Sequence, residues 1–335
     1  MYETLWGLPV IGYLFLAGVG AGALTVSASV LLRGGAGGFS SKHFQIARYG
    51  ALLAPLPLIL GTGMIIFELG TFRAAIENGE FFRLFKFINL FLTVNMSPMN
   101  IGSWLLGLCI LLSLAYAYTF LPKDAGPNDD KSELRRALAW AGIPFGIAVA
   151  IYTGVMLGAM PARPFWNTPV LALLFLLSAL SGGTAGILLL KAIFDHNGKT
   201  TGTDAKAAAA SKRPAGHSEY LLATSDMLFI GFEILAVFLF IMYAQLTVGA
   251  QAHALNVILP GGELALLFWG GVVLVGMLIP LAIELRYVVP ALVYHKPYMA
   301  PRSVDVIVAV IVLSGGFLLR YVVVIAGQIT GPVGI

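Results

Sequence analysis

Eight long runs of mainly apolar residues, parted by short polar stretches, make up most of this chain. They lie at about 8 to 32, 47 to 69, 98 to 121, 136 to 160, 167 to 193, 219 to 247, 263 to 285 and 303 to 327. A helix needs about 20 apolar residues to cross hydrocarbon, and backbone groups there must be satisfied within the segment. The pattern therefore predicts an all-α polytopic membrane protein with eight transmembrane helices. Almost nothing is left over for a soluble domain. Residues 71 to 97 interleave Arg73, Arg83 and Lys86 with Phe81, Phe82, Phe85, Phe87 and Phe91, which predicts an amphipathic helix lying in the interface. Residues 194 to 217, with KAAAASKRPAG inside them, read as a mobile polar connection.

Composition agrees with the pattern: 59% hydrophobic and 11% charged residues, against about 45–50% and 25% in soluble domains. Basic residues then supply orientation, because cytoplasmic loops retain Lys and Arg. Most of the 20 Lys and Arg follow the first, third, fifth and seventh runs. Both termini are thus expected outside, with the outer face toward the periplasm of a bacterial or archaeal cytoplasmic membrane. The net charge of +4 reflects this asymmetry, and no nucleic-acid partner is implied. The opening MYETLWGLPV carries Glu3 and no basic region, so the first run is expected to stay as a helix rather than act as a cleaved signal.

Cys109 is the single cysteine, which excludes an internal disulfide and an iron–sulfur cluster held by this protein alone. His43, His196, His217, His253 and His295 fall in loops or at the edges of runs. None is placed to project into a bundle as an axial ligand, so neither an intrinsic haem nor a metal site is expected.

The stretch YTGVMLGAMPARPFWNTPVLALLFLLSALSGGTAG, Tyr152 to Gly186, joins two apolar helices through a short turn crowded with Arg163, Pro164, Trp166, Asn167 and Pro169. So short a turn places these groups at the outer membrane surface or against a partner protein. Its LFLLSALSG, from Leu174, also echoes LFLAGVGAG from Leu14, the mark of a parallel repeat of four helices each. The small residues Ala17, Gly18, Gly20, Ala21, Gly22 and Ala23 equally suit close helix packing.

Polar groups inside a membrane are costly unless paired or used. Tyr13 lies roughly 7 Å and Tyr152 roughly 12 Å inside the outer ends of their runs, at 1.5 Å per residue. Singly, each reads as an interfacial anchor. Glu68 ends the second run and Arg73 follows, which suits either an ion pair or a site. Ser97, Asn100, Ser103 and Trp104 open the third run, and the Arg163 turn closes the fourth. A quinone needs such a setting: hydroxyl donors to grip its ring, proton donors close by for its reduction and a lipid exit for its tail. In the second half Asp226 and Glu233 lie in the sixth run, Glu284 and Asp305 at the inner ends of the seventh and eighth, and Arg320 toward the outer end of the eighth. They suit a proton-conducting column or structural pairs. A secondary transporter or ion-translocating channel subunit is the alternative reading, as is a bare membrane anchor; transporters, however, gather polar groups at the bilayer midplane.

SPMNIGSW (Ser97 to Trp104), the Tyr152 to Gly186 stretch, YLFLAGVGAGA (Tyr13 to Ala23) and the ending VVVIAGQITGPVGI closely resemble the NrfD/PsrC-like membrane subunits of polysulfide reductase and its relatives. The resemblance spans essentially the whole sequence. It implies two four-helix bundles, 1 to 160 and 161 to 335, and a haem-free subunit that binds menaquinone or another quinone in the first bundle near the outer face. It further implies docking of a ferredoxin-like iron–sulfur subunit, which carries a molybdopterin catalytic subunit. By position, Tyr152 matches the family's quinone-contacting tyrosine, and Tyr13 stands where a polysulfide-reductase subunit has a histidine. The family's Asp-Leu-Gly-Arg-Pro is replaced by Glu68, Leu69, Gly70, Thr71, Phe72 and Arg73, so an acid and an arginine persist in changed spacing. Tyr152, Glu68 and Tyr13 are the expected reacting groups. Asn100, Trp104, Arg73 and Trp166 are expected to shape the quinone site, and Arg163 and Asn167 the docking surface.

Overall fold

The computed structural model describes residues 6–34, 43–68, 85, 88–92, 97–121, 131–194, 217–247, 249–295, 298 and 300–331. All regular structure among them is helical: α1 (Leu8–Arg33), α2 (Phe44–Leu53), α3 (Pro55–Glu68), α4 (Asn89–Leu92), α5 (Pro98–Tyr118), α6 (Ser132–Gly158), α7 (Val170–Phe194), α8 (His217–Leu246), α9 (Ala250–Leu255), α10 (Leu266–Leu278), α11 (Ile279–Val293) and α12 (Arg302–Ile329). Eight spans are long and apolar enough to cross a membrane, α2 with α3 and α10 with α11 each forming one. Of the expected interfacial helix, only Phe85 and Ile88–Leu92 fall within the described residues, where α4 packs on α5. Arg73, the Glu68 side chain and the connection 195–216 lie outside them.

Two spans depart from straight helices for identifiable reasons. Pro55 lacks the N–H that would bond the carbonyl four residues earlier, and the second span divides there into α2 and α3. The 13 residues of α10 wind as a π-helix, while Gly276 meets Gly315 of α12 backbone to backbone. The seventh span then runs on to Val293, past the boundary at residue 285 expected from the apolar run. Glu284 accordingly lies about 14 Å from the end of α11, at 1.5 Å per residue, and not at the end of the span. Its carboxyl is buried in protein, so a charge that interrupts the apolar run does not end the helix.

The centre of the molecule is α1, which packs on α2, α3, α6, α7 and α12. Its small residues make this possible. A Cβ at Gly22 would fall on the backbone of Ala179 in α7, and one at Gly183 on the backbone of Gly22 and Ala23. Helices approach this closely only where side chains are missing. Around that crossing α5 packs on α6, α8 and α12 pack on α7, and α10 packs on α12.

Chain direction alternates, so the two ends of the molecule carry different contacts. At one end Trp6 stacks on Trp166 with ring centroids 5.2 Å apart. At the other, buried Arg135 donates to the Thr119 carbonyl at 2.6 Å and lies over the Phe44 and Phe120 rings.

Candidate functional site

A cavity of about 170 Å³ opens among α1, α3, α4, α5 and α6, toward the Trp166 end. Tyr13 reaches it from the second turn of α1. Tyr152 reaches it from α6, about 9 Å from that helix's end at 1.5 Å per residue. Most of the wall is apolar: Ile65, Ile66, Phe91, Met99, Leu106 and Met156. Four hydroxyls interrupt it, and they are not equivalent. Thr62 donates to the Leu58 carbonyl at 2.7 Å and Ser103 to the Met99 carbonyl at 2.8 Å, each one turn back along its own helix. Both tyrosines are buried, yet neither hydroxyl bonds to any described residue. Neither phenol oxygen is sealed in protein; both open onto the cavity, so a polar group entering it meets two uncommitted hydroxyls.

Other residues expected at the site are placed around it rather than in it. Asn100 is buried in the first turn of α5, where Ser97 Oγ caps its N–H at 3.2 Å. Trp104 is half-exposed and packs edge-on against Phe91, which does line the cavity. Trp166 is buried away from the cavity and donates from Nε1 to the Val323 carbonyl at 2.7 Å.

The turn between α6 and α7 is tied to both ends of the protein. Arg163 Nη1 donates to the Gln328 and Gly327 carbonyls at 3.0 and 3.5 Å, which places its positive charge at the C-terminus of α12, where the helix dipole favours a cation. Gln328 exchanges two hydrogen bonds with the Trp6 backbone, at 2.9 and 3.0 Å. The Asn167 carbonyl accepts from Gln251 Nε2 at 2.6 Å. A guanidinium engaged in this way closes the end of the structure.

A second set of polar groups runs through α7, α8, α11 and α12. Arg320 is fully buried; its Nη1 donates to Ser178 Oγ and to the Gly316 carbonyl, and its guanidinium lies 5.2 Å from the Phe175 ring. Ser178 also faces Glu233. One turn further along α7, Ser181 Oγ donates to Asp226 Oδ1 at 2.8 Å, and the Asp226 carboxyl meets that of Glu284. Glu284 Oε2 has no hydrogen-bond partner among the described residues. Beyond it a void of about 10 Å³, close to the size of one water, is lined by Glu284, Tyr287, Tyr298 and Asp305. Tyr298 donates to Asp305 Oδ1 at 3.5 Å. Burial and the carboxylates of Asp305, Glu284 and Glu219 hold its phenol well above the ordinary range, so it remains a proton donor.

Sequence reading missed Gly102, Thr62, Phe91 and Met156 in the cavity, and Ser178 and Ser181 in the polar series. The two serines were detectable as an i, i+3 pair, one face of a helix. The cavity residues carried no such signal.

The family model described as "Polysulphide reductase, NrfD" matches residues 1–332. The C chain of polysulfide reductase from Wolinella succinogenes is 30% identical, the match covering 98% of the present sequence and 96% of that protein. Protein NrfD of Escherichia coli is 27% identical over 98% and 97%. The Protein NrfD homolog of Haemophilus influenzae is 26% identical over 98% and 96%.

Proposed function

This multi-pass integral membrane protein belongs to the polysulphide reductase, NrfD family, and we propose that it is the quinone-reactive membrane subunit of a respiratory oxidoreductase complex. One observation carries the reading: the hydroxyls of two buried tyrosines, with no partner among the described residues, open onto a single apolar cavity. A cavity of about 150 Å³ accommodates a benzene-sized ring, so the 170 Å³ here suits a quinone head and leaves its tail outside. The helices α3 and α5, which bound the cavity, expose Ile59, Leu60, Ile101 and Leu108, and a tail leaving between them would meet lipid.

A bound quinol supplies two electrons and two protons. Tyr13 and Tyr152, on the adjacent helices α1 and α6, would donate hydrogen bonds to its ring oxygens and fix its position. The apolar wall excludes water, which strengthens those bonds. Its electrons would pass to an iron–sulfur subunit at the Trp166 end, taken as the outer face from the basic-residue asymmetry, and its protons would leave by Glu68 or water on that side. The reverse direction uses the same groups. A molybdopterin subunit beyond the iron–sulfur subunit would perform the terminal reaction. The half of the protein up to residue 160 forms the redox bundle in this reading, and the half from 161 the second.

In the second bundle, Asp305, Tyr298, Glu284, Asp226, Ser181, Glu233, Ser178 and Arg320 offer a discontinuous route for protons from the inner end to mid-membrane. The unpartnered Glu284 oxygen beside a water-sized void supports that use over a purely structural one.

Tyr152→Phe and Tyr13→Phe each remove one hydrogen bond, worth about 1 kcal/mol or roughly fivefold in affinity. Each variant is expected to assemble and to show about fivefold lower quinol-linked turnover at limiting quinol in the isolated complex, measured with menadiol as donor. Full turnover by both assembled variants would refute the site.

A further inference from the structure

We infer that Gly102 is the positioning residue that seats the Tyr152 hydroxyl in the cavity; this rests on the quinone reading of that cavity. Gly102 lies on α5 opposite Tyr152 of α6, is buried, and itself lines the cavity. A Cβ built on it would fall on Cζ and the hydroxyl oxygen of Tyr152 and close against Cε1, and these are the three nearest atoms. The missing side chain therefore makes room for the tip of a phenol. This differs from Gly22 and Gly183, whose missing side chains make room for the backbone of an opposing helix. Those two serve the fold, whereas Gly102 forms a notch through which one functional group enters.

Two physical points sharpen the assignment. Glycine inside a helix is disfavoured relative to alanine, so α5 gives up stability at a position where alanine would otherwise serve. A phenol cannot yield by small displacements either, because χ1 has discrete wells. With a methyl group at 102 the ring must change rotamer or push α5 away, and in both cases the hydroxyl leaves its place. Residue 102 thus acts on quinol binding through the place of the Tyr152 hydroxyl.

The test compares Gly102→Ala, Tyr152→Phe, Tyr152→Leu and the double variant Gly102→Ala/Tyr152→Leu in the full-length protein. Binding of heptyl-hydroxyquinoline N-oxide, a quinol analogue, is followed by fluorescence titration, and turnover of menadiol is measured in the isolated complex. Gly102→Ala is expected to weaken analogue binding about fivefold, as Tyr152→Phe does, the scale of one hydrogen bond. In the Tyr152→Leu background the same glycine change is expected to alter binding by less than about twofold, and to leave assembly equal to that of Tyr152→Leu alone. Independent, multiplying effects in the double variant would overturn the inference. So would failure of the double variant to assemble, since Gly102 would then serve backbone packing. Tyr152→Phe weakened with Gly102→Ala unchanged refutes this inference alone, and an assembled but unaffected Tyr152→Phe refutes the quinone reading at Tyr152 beneath it.

Discussion

Replacing Arg320 by methionine probes a fully enclosed cation in the last membrane-spanning helix. Arg320 is 1% exposed and Glu233 is 5% exposed, and Ser178 stands between them, accepting from the guanidinium and facing the carboxyl. Arg320→Met removes the bond to Ser178, the 2.9 Å bond to the Gly316 carbonyl and the contacts with the Phe15 and Phe175 rings. It leaves Glu233 buried without its counter-charge. Breaking a buried pair from one side costs about 3–5 kcal/mol, and a pair bridged by a hydroxyl belongs at about 3 kcal/mol on that scale. Removing both charges, as Arg320→Met/Glu233→Gln, leaves nothing unpaired and is expected to cost about 1 kcal/mol, because neutral replacements of similar volume are often tolerated. The coupling between the two positions is thus about 2 kcal/mol or more. Unfolding of the purified protein in mixed micelles of mild detergent and dodecyl sulfate, followed by tryptophan fluorescence, measures all four corners of this cycle. A double variant as unstable as the sum of its singles would refute the pairing.

Two further outcomes follow from the packing. Gly183→Val should abolish assembly of the protein in membranes, because its side chain would fall on the backbone of Gly22 and Ala23; Gly182→Ala, whose Cβ would meet only Val19 Cγ2 at 3.4 Å, should assemble normally, as judged by size-exclusion chromatography. Arg163→Gln should lower the stability of the isolated protein by about 1–2 kcal/mol, the loss of a charge-assisted cap on α12, in the same unfolding assay; an unchanged stability would return Arg163 to the role of a free docking residue.

The spans were legible because length and apolarity alone decide whether a helix can cross a membrane. The seventh span was read short, because Glu284 and Arg286 interrupt its apolar pattern. A charge ends an apolar run in the sequence, yet inside a bundle it ends nothing when its side chain is turned into protein. Tyr13 and Tyr152 could be nominated as polar groups at a shared depth. That they line one cavity while Trp166 and Asn100 are directed elsewhere depends on helix rotation, which nearly uniform apolarity around each span does not encode.

Arg163 illustrates the same division. Sequence places it in a short turn between two spans, free in principle to meet a partner. Folding brings that turn against the C-terminus of α12, over 160 residues away in sequence, and the guanidinium caps its carbonyls. Gly102 is the converse case. Its SPMNIGSW setting was noticed as a motif, but a missing side chain has no meaning until the group that fills the space is known.

Composition and run length by themselves determined the membrane, the number of spans and their alternating direction, because the bilayer tests each segment separately for its transfer free energy. The tertiary structure alone decided which faces meet: the glycine crossing of α1 and α7, the two unpartnered phenols over one cavity and the serine-bridged charges at Arg320. Those depend on contacts between residues distant in sequence, and in a lipid environment no difference in hydrophobicity marks an inward face from an outward one.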